Sequence, residues 1–187
     1  MMTSRATSLL AWLLLGLLLG ACAEGDTPTT TPTPSREADF EGTLNASYYF
    51  LPEDTDRLPD FDALTPEGQL QNPSLNVSRR NFEQGFPGIP GRTTYFGVLY
   101  TGTFTLETEG SYTFRLLSDD GSRLYIDNQL VVDLNGSHDT LEETGTVTLD
   151  ASTHSLRVEY FQGPGDELSL QLFVTPPGEE EQVFTVQ

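Results

Sequence analysis

The sequence predicts an all-β domain, an antiparallel sandwich or barrel, and three observations carry that prediction. Apolar-alternating runs fall at 95–106, 112–117, 123–126, 129–132, 145–149, 154–161, 168–174 and 183–186. Turn signals divide them: Glu109-Gly110, Asp119-Asp120-Gly121, Asn135-Gly136, Gly163-Pro164-Gly165 and Pro176-Pro177-Gly178. No window sustains a helical period. Alternation is strict in Leu156, Val158, Tyr160 and again in Leu168, Leu170, Leu172, so one face of each strand must be buried. Short strands at this spacing are the mark of a sandwich or barrel.

Taken in order, the chain opens with a polar stretch, 1–8, carrying one charge, Arg5. An apolar run, 9–19, follows; it is too short to span a bilayer and suits a signal-peptide core. It ends Leu19-Gly20-Ala21-Cys22, which resembles the bacterial lipobox, where the cysteine is lipid-modified and becomes the first mature residue. Residues 1–21 are therefore expected to be a lipoprotein signal peptide, and Cys22 the lipidation site. Lipidation consumes the chain's one cysteine, so no disulfide is expected. Residues 22–38 read as a threonine- and proline-rich tether, extended at roughly 3 Å per residue, that holds the domain 39–187 off a membrane. Ala23 lacks the aspartate associated with inner-membrane retention, so the outer membrane or cell surface is the expected location. Asn-x-Ser sequons at Asn45, Asn76 and Asn135 read as coincidental in such a chain.

The folded part begins with a strand at 43–50. A long irregular stretch, 51–93, follows, broken by six prolines and expected to be pinned to the core by Phe61, Leu64, Leu70, Phe82 and Phe86. Charge narrows the partners. Acidic residues number 28 against 9 basic ones, all arginine, which sets nucleic acid and anionic lipid headgroups aside.

The stretch Ser118-Asp119-Asp120-Gly121-Ser122 stands between two strands. Its adjacent carboxylates suit a hard cation such as calcium. An Asp-Gly pair between alternating runs is equally an ordinary hairpin turn, and both readings stand. No catalytic set accompanies it, so an enzyme is not expected: there is no nucleophile elbow, phosphate loop or zinc-type spacing. Of the two histidines, His154 reads as a surface or edge residue and His138 as a turn residue able to line a site.

Five blocks together carry a resemblance: Phe86-Pro87-Gly88-Ile89-Pro90, Tyr100-Thr101-Gly102-Thr103-Phe104, Gly110-Ser111-Tyr112-Thr113-Phe114, the run from Ser118 to Asp127, and Val158-Glu159-Tyr160-Phe161. Over residues 43 to 175 the chain resembles the carbohydrate-binding domain first named from bacterial protective antigen, in its fibro-slime branch. The resemblance implies that Asp119 and Asp120, joined by a cis peptide, face one calcium ion that coordinates sugar hydroxyls, with Gly121 beside them as a ligand-binding residue. Sugar-binding members complete the shell with an asparagine. The corresponding segment here, Gln162-Gly163-Pro164-Gly165-Asp166, has none, so Gln162 and Asp166 are the candidate further ligands. Asp127 and Asp133 match the family pattern and read as turn and capping residues, and Tyr125 as core. The expectation is a lipid-anchored surface module for calcium-dependent recognition of a glycan or surface polysaccharide. The alternative is a structural or protein-interaction module without metal or sugar.

Overall fold

The computed structural model describes residues 37–187, which lie within one compact unit. The expected signal peptide, Cys22 and nearly all of the tether lie outside the described residues. Strand structure begins two residues before position 39, with β1 (Glu37–Phe40) and then β2 (Gly42–Phe50). The proline-rich stretch holds two short strands that its sequence concealed, β3 (Gly68–Gln69) and β4 (Asn76–Asn81), and single 3-10 turns at Phe61–Ala63 and Phe82–Gln84. The regular part follows as β5 (Phe96–Thr105), β6 (Gly110–Asp119), β7 (Ser122–Ile126), β8 (Gln129–Leu134), β9 (Leu141–Leu149), β10 (Thr153–Gln162), β11 (Glu167–Thr175) and β12 (Gln182–Val186).

These strands build a sandwich, not a closed barrel. One sheet runs β1-β12-β11-β6-β9 with β4 also on β11, and the other runs β3-β2-β5-β10-β7-β8. All pairs are antiparallel except β1 with β12. The alternation seen in the sequence points inward as expected. Val98, Tyr100, Val158 and Tyr160 from one sheet meet Phe114, Leu116, Leu170 and Leu172 from the other, each with no exposed surface. Phe104 sits among Phe40, Phe114 and Phe184 with ring centroids 5.4–6.3 Å apart, closing the end of the core near the start of β6. Burying such aromatics supplies about 2–3 kcal/mol each.

A second apolar cluster explains the long stretch. Tyr49, Leu51, Leu58, Phe61 and Phe161 are buried together on the outer face of the β5–β10 sheet. Phe61, Leu70 and Phe86 pin the stretch as expected, and Phe82 is partly buried, but Leu64, which caps the 3-10 turn, is exposed. Tyr125 also departs from expectation. Leu124 and Ile126 take the inward positions of β7, so Tyr125 faces out and is half-buried.

His154 is the clearest correction. It is buried, not a surface or edge residue, because the β7–β8 turn folds over it. Asp127 and Asn128 both adopt positive φ (49° and 62°), as a two-residue hairpin turn demands. That turn delivers the Asp127 carboxylate to the backbone N–H of Ser155 at 2.8 Å and to His154 Nδ1 at 2.7 Å. His154 Nε2 meets the Asp150 carbonyl at 3.0 Å. Burial pushes the imidazole pKa down, but Asp127 and Asp150 together outweigh it and hold it above the usual value. Asp127 and Asp133 are turn-stabilising residues as expected: Asp133 accepts from Arg123 and from the backbone N–H of Asn135, both at 3.0 Å.

The sandwich has distinct ends. Asp39 and Glu41 line a groove with Leu106, Tyr112 and Pro177 where β6 begins. The Asp119-Asp120 pair lies where β6 ends, ten residues and about 30 Å away at strand rise.

Candidate functional site

The last turn of β6 is shaped by what lies beneath it. Ser118 and Ser122 point inward, and their hydroxyls pair at 2.7 Å across the hairpin neck. The Tyr160 hydroxyl, fully buried, donates to the Asp119 carbonyl at 2.7 Å. Gly121 is buried too: a Cβ there would stand 2.5 Å from the Phe161 ring and 2.7 Å from the Gly136 carbonyl oxygen. Only glycine lets the turn approach the β8–β9 loop this closely. Gly121 therefore sits behind the site and does not line it. The Asp119–Asp120 peptide is cis, as the resemblance implied.

Above the turn lies a cleft of about 710 Å³, and both carboxylates line it. Its walls come from three segments distant in sequence. The β8–β9 loop contributes Ser137, His138 and Asp139; the β10–β11 loop, Pro164 to Asp166; and β4, Arg79 and Asn81. Asp120 ties the two loops together. Its Oδ1 accepts from the His138 backbone N–H at 2.9 Å, and its Oδ2 from the Gly163 N–H at 2.8 Å and the Gln162 amide at 3.3 Å. Asp119 is less engaged. Its Oδ2 accepts from the Thr140 hydroxyl at 3.2 Å, and its Oδ1 receives no hydrogen bond among the described residues.

Burial raises the pKa of both carboxyls above the ordinary aspartate range. At Asp119 the neighbouring Asp120 and Asp139 charges add to this, against Thr140 and His138. At Asp120 the donors from Gly163 and His138 oppose it. Among the described residues no cationic side chain hydrogen-bonds either carboxylate, and the arginine that lines the cleft, Arg79, is paired with Glu167. Two desolvated, adjacent carboxylates in an open acidic cleft fit a hard divalent cation, which lowers the cost of ionising both. Among the described residues no group of three or more His, Cys, Asp or Glu side chains converges on a metal position. A cation here would take its remaining oxygens from hydroxyls, backbone carbonyls or water.

The other expected site residues divide. Asp166 lines the cleft. Gln162 is buried behind Asp120, with its side-chain oxygen 2.5 Å from the Tyr160 hydroxyl and its amide nitrogen toward Asp120 and the Glu167 carbonyl. His138 lines the cleft, and both its ring nitrogens are held by backbone carbonyls, of Asp139 at 2.7 Å and Leu134 at 2.8 Å. Arg79, Asn81, Asp139 and Thr140 were not legible as site residues, since only the pairing of β4 with β11 and of β9 with β6 brings them there.

Among the described residues, twelve strands in two sheets, with the Asp119-Asp120 cleft walled by loops at one end, define a β-sandwich module. The model of the PA14 domain family matches residues 79–184, and the chain belongs to that family. Over 73 residues it is 33% identical to the anti-sigma-I factor RsgI3 of Acetivibrio thermocellus, covering 38% of this chain and 11% of that relative. The chain thus spans about a tenth of the length of the curated relative it matches. The fold is similar to that of a PA14 sugar-binding domain from an RTX adhesin (TM-score 0.59, 19% identity, 78% of this chain and 95% of the other). It is also similar to the epithelial adhesin 9 A domain of Candida glabrata, solved with Galβ1-3GlcNAc (TM-score 0.54, 13% identity, 78% and 90%).

Proposed function

We propose that this domain is a recognition module that binds carbohydrate through a calcium ion held by Asp119 and Asp120, displayed on a membrane by lipid at Cys22. The observation that carries the reading is the pair of desolvated carboxylates in an open cleft, with no cationic side chain among the described residues bonded to either. Membership of the PA14 family and the similarity in fold to sugar-binding adhesin domains support it. Bound calcium would supply coordination to vicinal sugar hydroxyls. The protein's own part is to fix two oxygens on one wall and to offer the polar groups of Asn81 and Asp166 around them. Among the described residues no Phe, Tyr or Trp lines the cleft to stack a sugar ring, so single-site affinity should be weak and display on a surface should compensate by avidity.

One observation favours a second reading, a structural or protein-interaction module. Asp120 already serves three donors that join two loops, so the pair has a folding role without a metal. A thermal melt of residues 37–187 separates the two. Binding to the native state alone adds RT ln(1 + [Ca]/Kd), about 2.7 kcal/mol at a hundred times Kd. We expect Tm to rise by several degrees in millimolar calcium and return in chelator, and immobilised glycans to retain the protein only with calcium. An unchanged Tm would leave the interaction-module reading. For the anchor, fatty-acid incorporation is expected in the full chain and should vanish in Cys22→Ala.

A further inference from the structure

Ser169 is the one described residue with a buried side-chain polar atom that has no hydrogen-bond partner. It has no exposed surface, and its place in the sheets is specific. Leu168 and Leu170 point into the core, so Ser169 faces the outer side of its sheet. On β6, Leu116 and Ser118 point inward, so Asp119 faces that same side. Ser169 and Asp119 are direct cross-strand partners. Such a pair has Cβ atoms about 4.5–5.5 Å apart. On its other flank, Leu168 pairs with Arg80 and Leu170 with Val77, so Ser78 and Arg79 together oppose Ser169. That bulge places Ser169 between two residues that line the cleft, Asp119 and Arg79.

An unpaired hydroxyl in this position is costly, and alanine would fill the space without that cost. Asp119 has the matching deficit, since its Oδ1 lacks a donor while Oδ2 takes the Thr140 hydroxyl. The two unpaired groups are neighbours on one face. The carboxylate's broad terminal torsion leaves it free to turn an oxygen toward that hydroxyl.

We propose that Ser169 is a positioning residue of the cation site, its hydroxyl donating to the Asp119 carboxylate when a cation draws that carboxylate into place. This rests on the calcium reading above. The hydroxyl would fix the carboxylate's rotation and leave the remaining lone pairs for the ion. Hydrogen bonds to an ionised acceptor are the stronger kind, so its loss should be legible in metal affinity.

The test is calcium titration of Ser169→Ala by calorimetry at 20 °C, with melts in chelator beside it. The expected result is calcium affinity about tenfold weaker than wild type, with Tm in chelator unchanged or higher. Affinity within twofold of wild type overturns the proposal. So does a chelator Tm several degrees lower, whatever the affinity, because it would make Ser169 a fold residue. If wild type itself shows no calcium heat, the failure belongs to the calcium reading. If wild type binds and Ser169→Ala binds equally, it belongs to Ser169 alone.

Discussion

Asp119→Ala is expected to abolish the calcium-induced rise in Tm and glycan retention while changing stability in chelator by less than about 1 kcal/mol. Asp120→Ala is expected to lose the calcium response and, in chelator, about 2–5 kcal/mol besides. The difference lies in what each carboxylate holds. Asp119 accepts one hydrogen bond from within the domain, from Thr140. Asp120 accepts from two backbone N–H groups and a buried amide, and each buried donor left unsatisfied costs about 1–3 kcal/mol. Paired melts of the two variants, with calcium and with chelator, check this. Equal chelator Tm values for the two would refute the assigned division of roles.

The pH dependence follows from the same burial. Both carboxyls have pKa values raised in the folded state, so between the ordinary aspartate value and the raised one the folded protein holds more protons than the unfolded chain. Their contribution to stability in chelator therefore falls as pH rises through that window and recovers as pH is lowered. Wild type should gain on Asp119→Ala as pH is lowered from neutral toward 4. Asp127, Asp133 and Glu181, whose pKa values are lowered, act in the opposite sense but are common to both proteins and cancel. Calcium takes the ionised form, so its affinity should weaken over the same acid window.

Gly121→Ala is expected to cost about 3 kcal/mol, in the upper range for overpacking a filled site, and to weaken calcium binding as well. The added Cβ would lie 2.5 Å from Phe161 Cε1, 2.7 Å from the Gly136 oxygen and 2.8 Å from its nitrogen. Phe161 is buried beneath the long segment, so the β8–β9 loop is the part that must move. That loop brings the His138 N–H to Asp120. A melt about 10 °C below wild type is the expected readout. A Tm within 2 °C would show that the loop yields freely and that the close approach is not required.

Much of this architecture was legible because alternation and turn chemistry are local. Leu156, Val158 and Tyr160 point inward as their spacing demands, and each turn signal from Glu109 to Gly178 separates two strands. What stayed hidden depends on tertiary contact. β3 has two residues and β4 a single apolar one, Val77, so neither shows an alternation, and they exist because β2 and β11 offer them edges. His154 looked like an edge residue because nothing near it in sequence announces that Asp127, 27 positions earlier, folds back onto it. At the site, Asp119 and Asp120 stood out as adjacent charges. Thr140, Arg79 and Ser169 did not, since only strand pairing brings each to that end of the sheet.

The one parallel pairing among the described residues bears on how the domain would carry a mechanical load. β1 enters at Glu37 and lies alongside β12 over four residue pairs, Glu37 with Val183 through Phe40 with Val186. A pull on the chain before Glu37 directed along the β1 axis would draw that strand backward against β12. The bonds to β12 then resist in shear, all strained together, instead of opening one after another from an end. The fixing bonds at Gly42 and Gln187, where Gly42 donates to the Gln187 carbonyl at 3.1 Å and Gln187 to that of Phe40 at 2.9 Å, stand directly behind them. The parallel edge strand would thus act as a clasp against tension reaching the fold through Glu37.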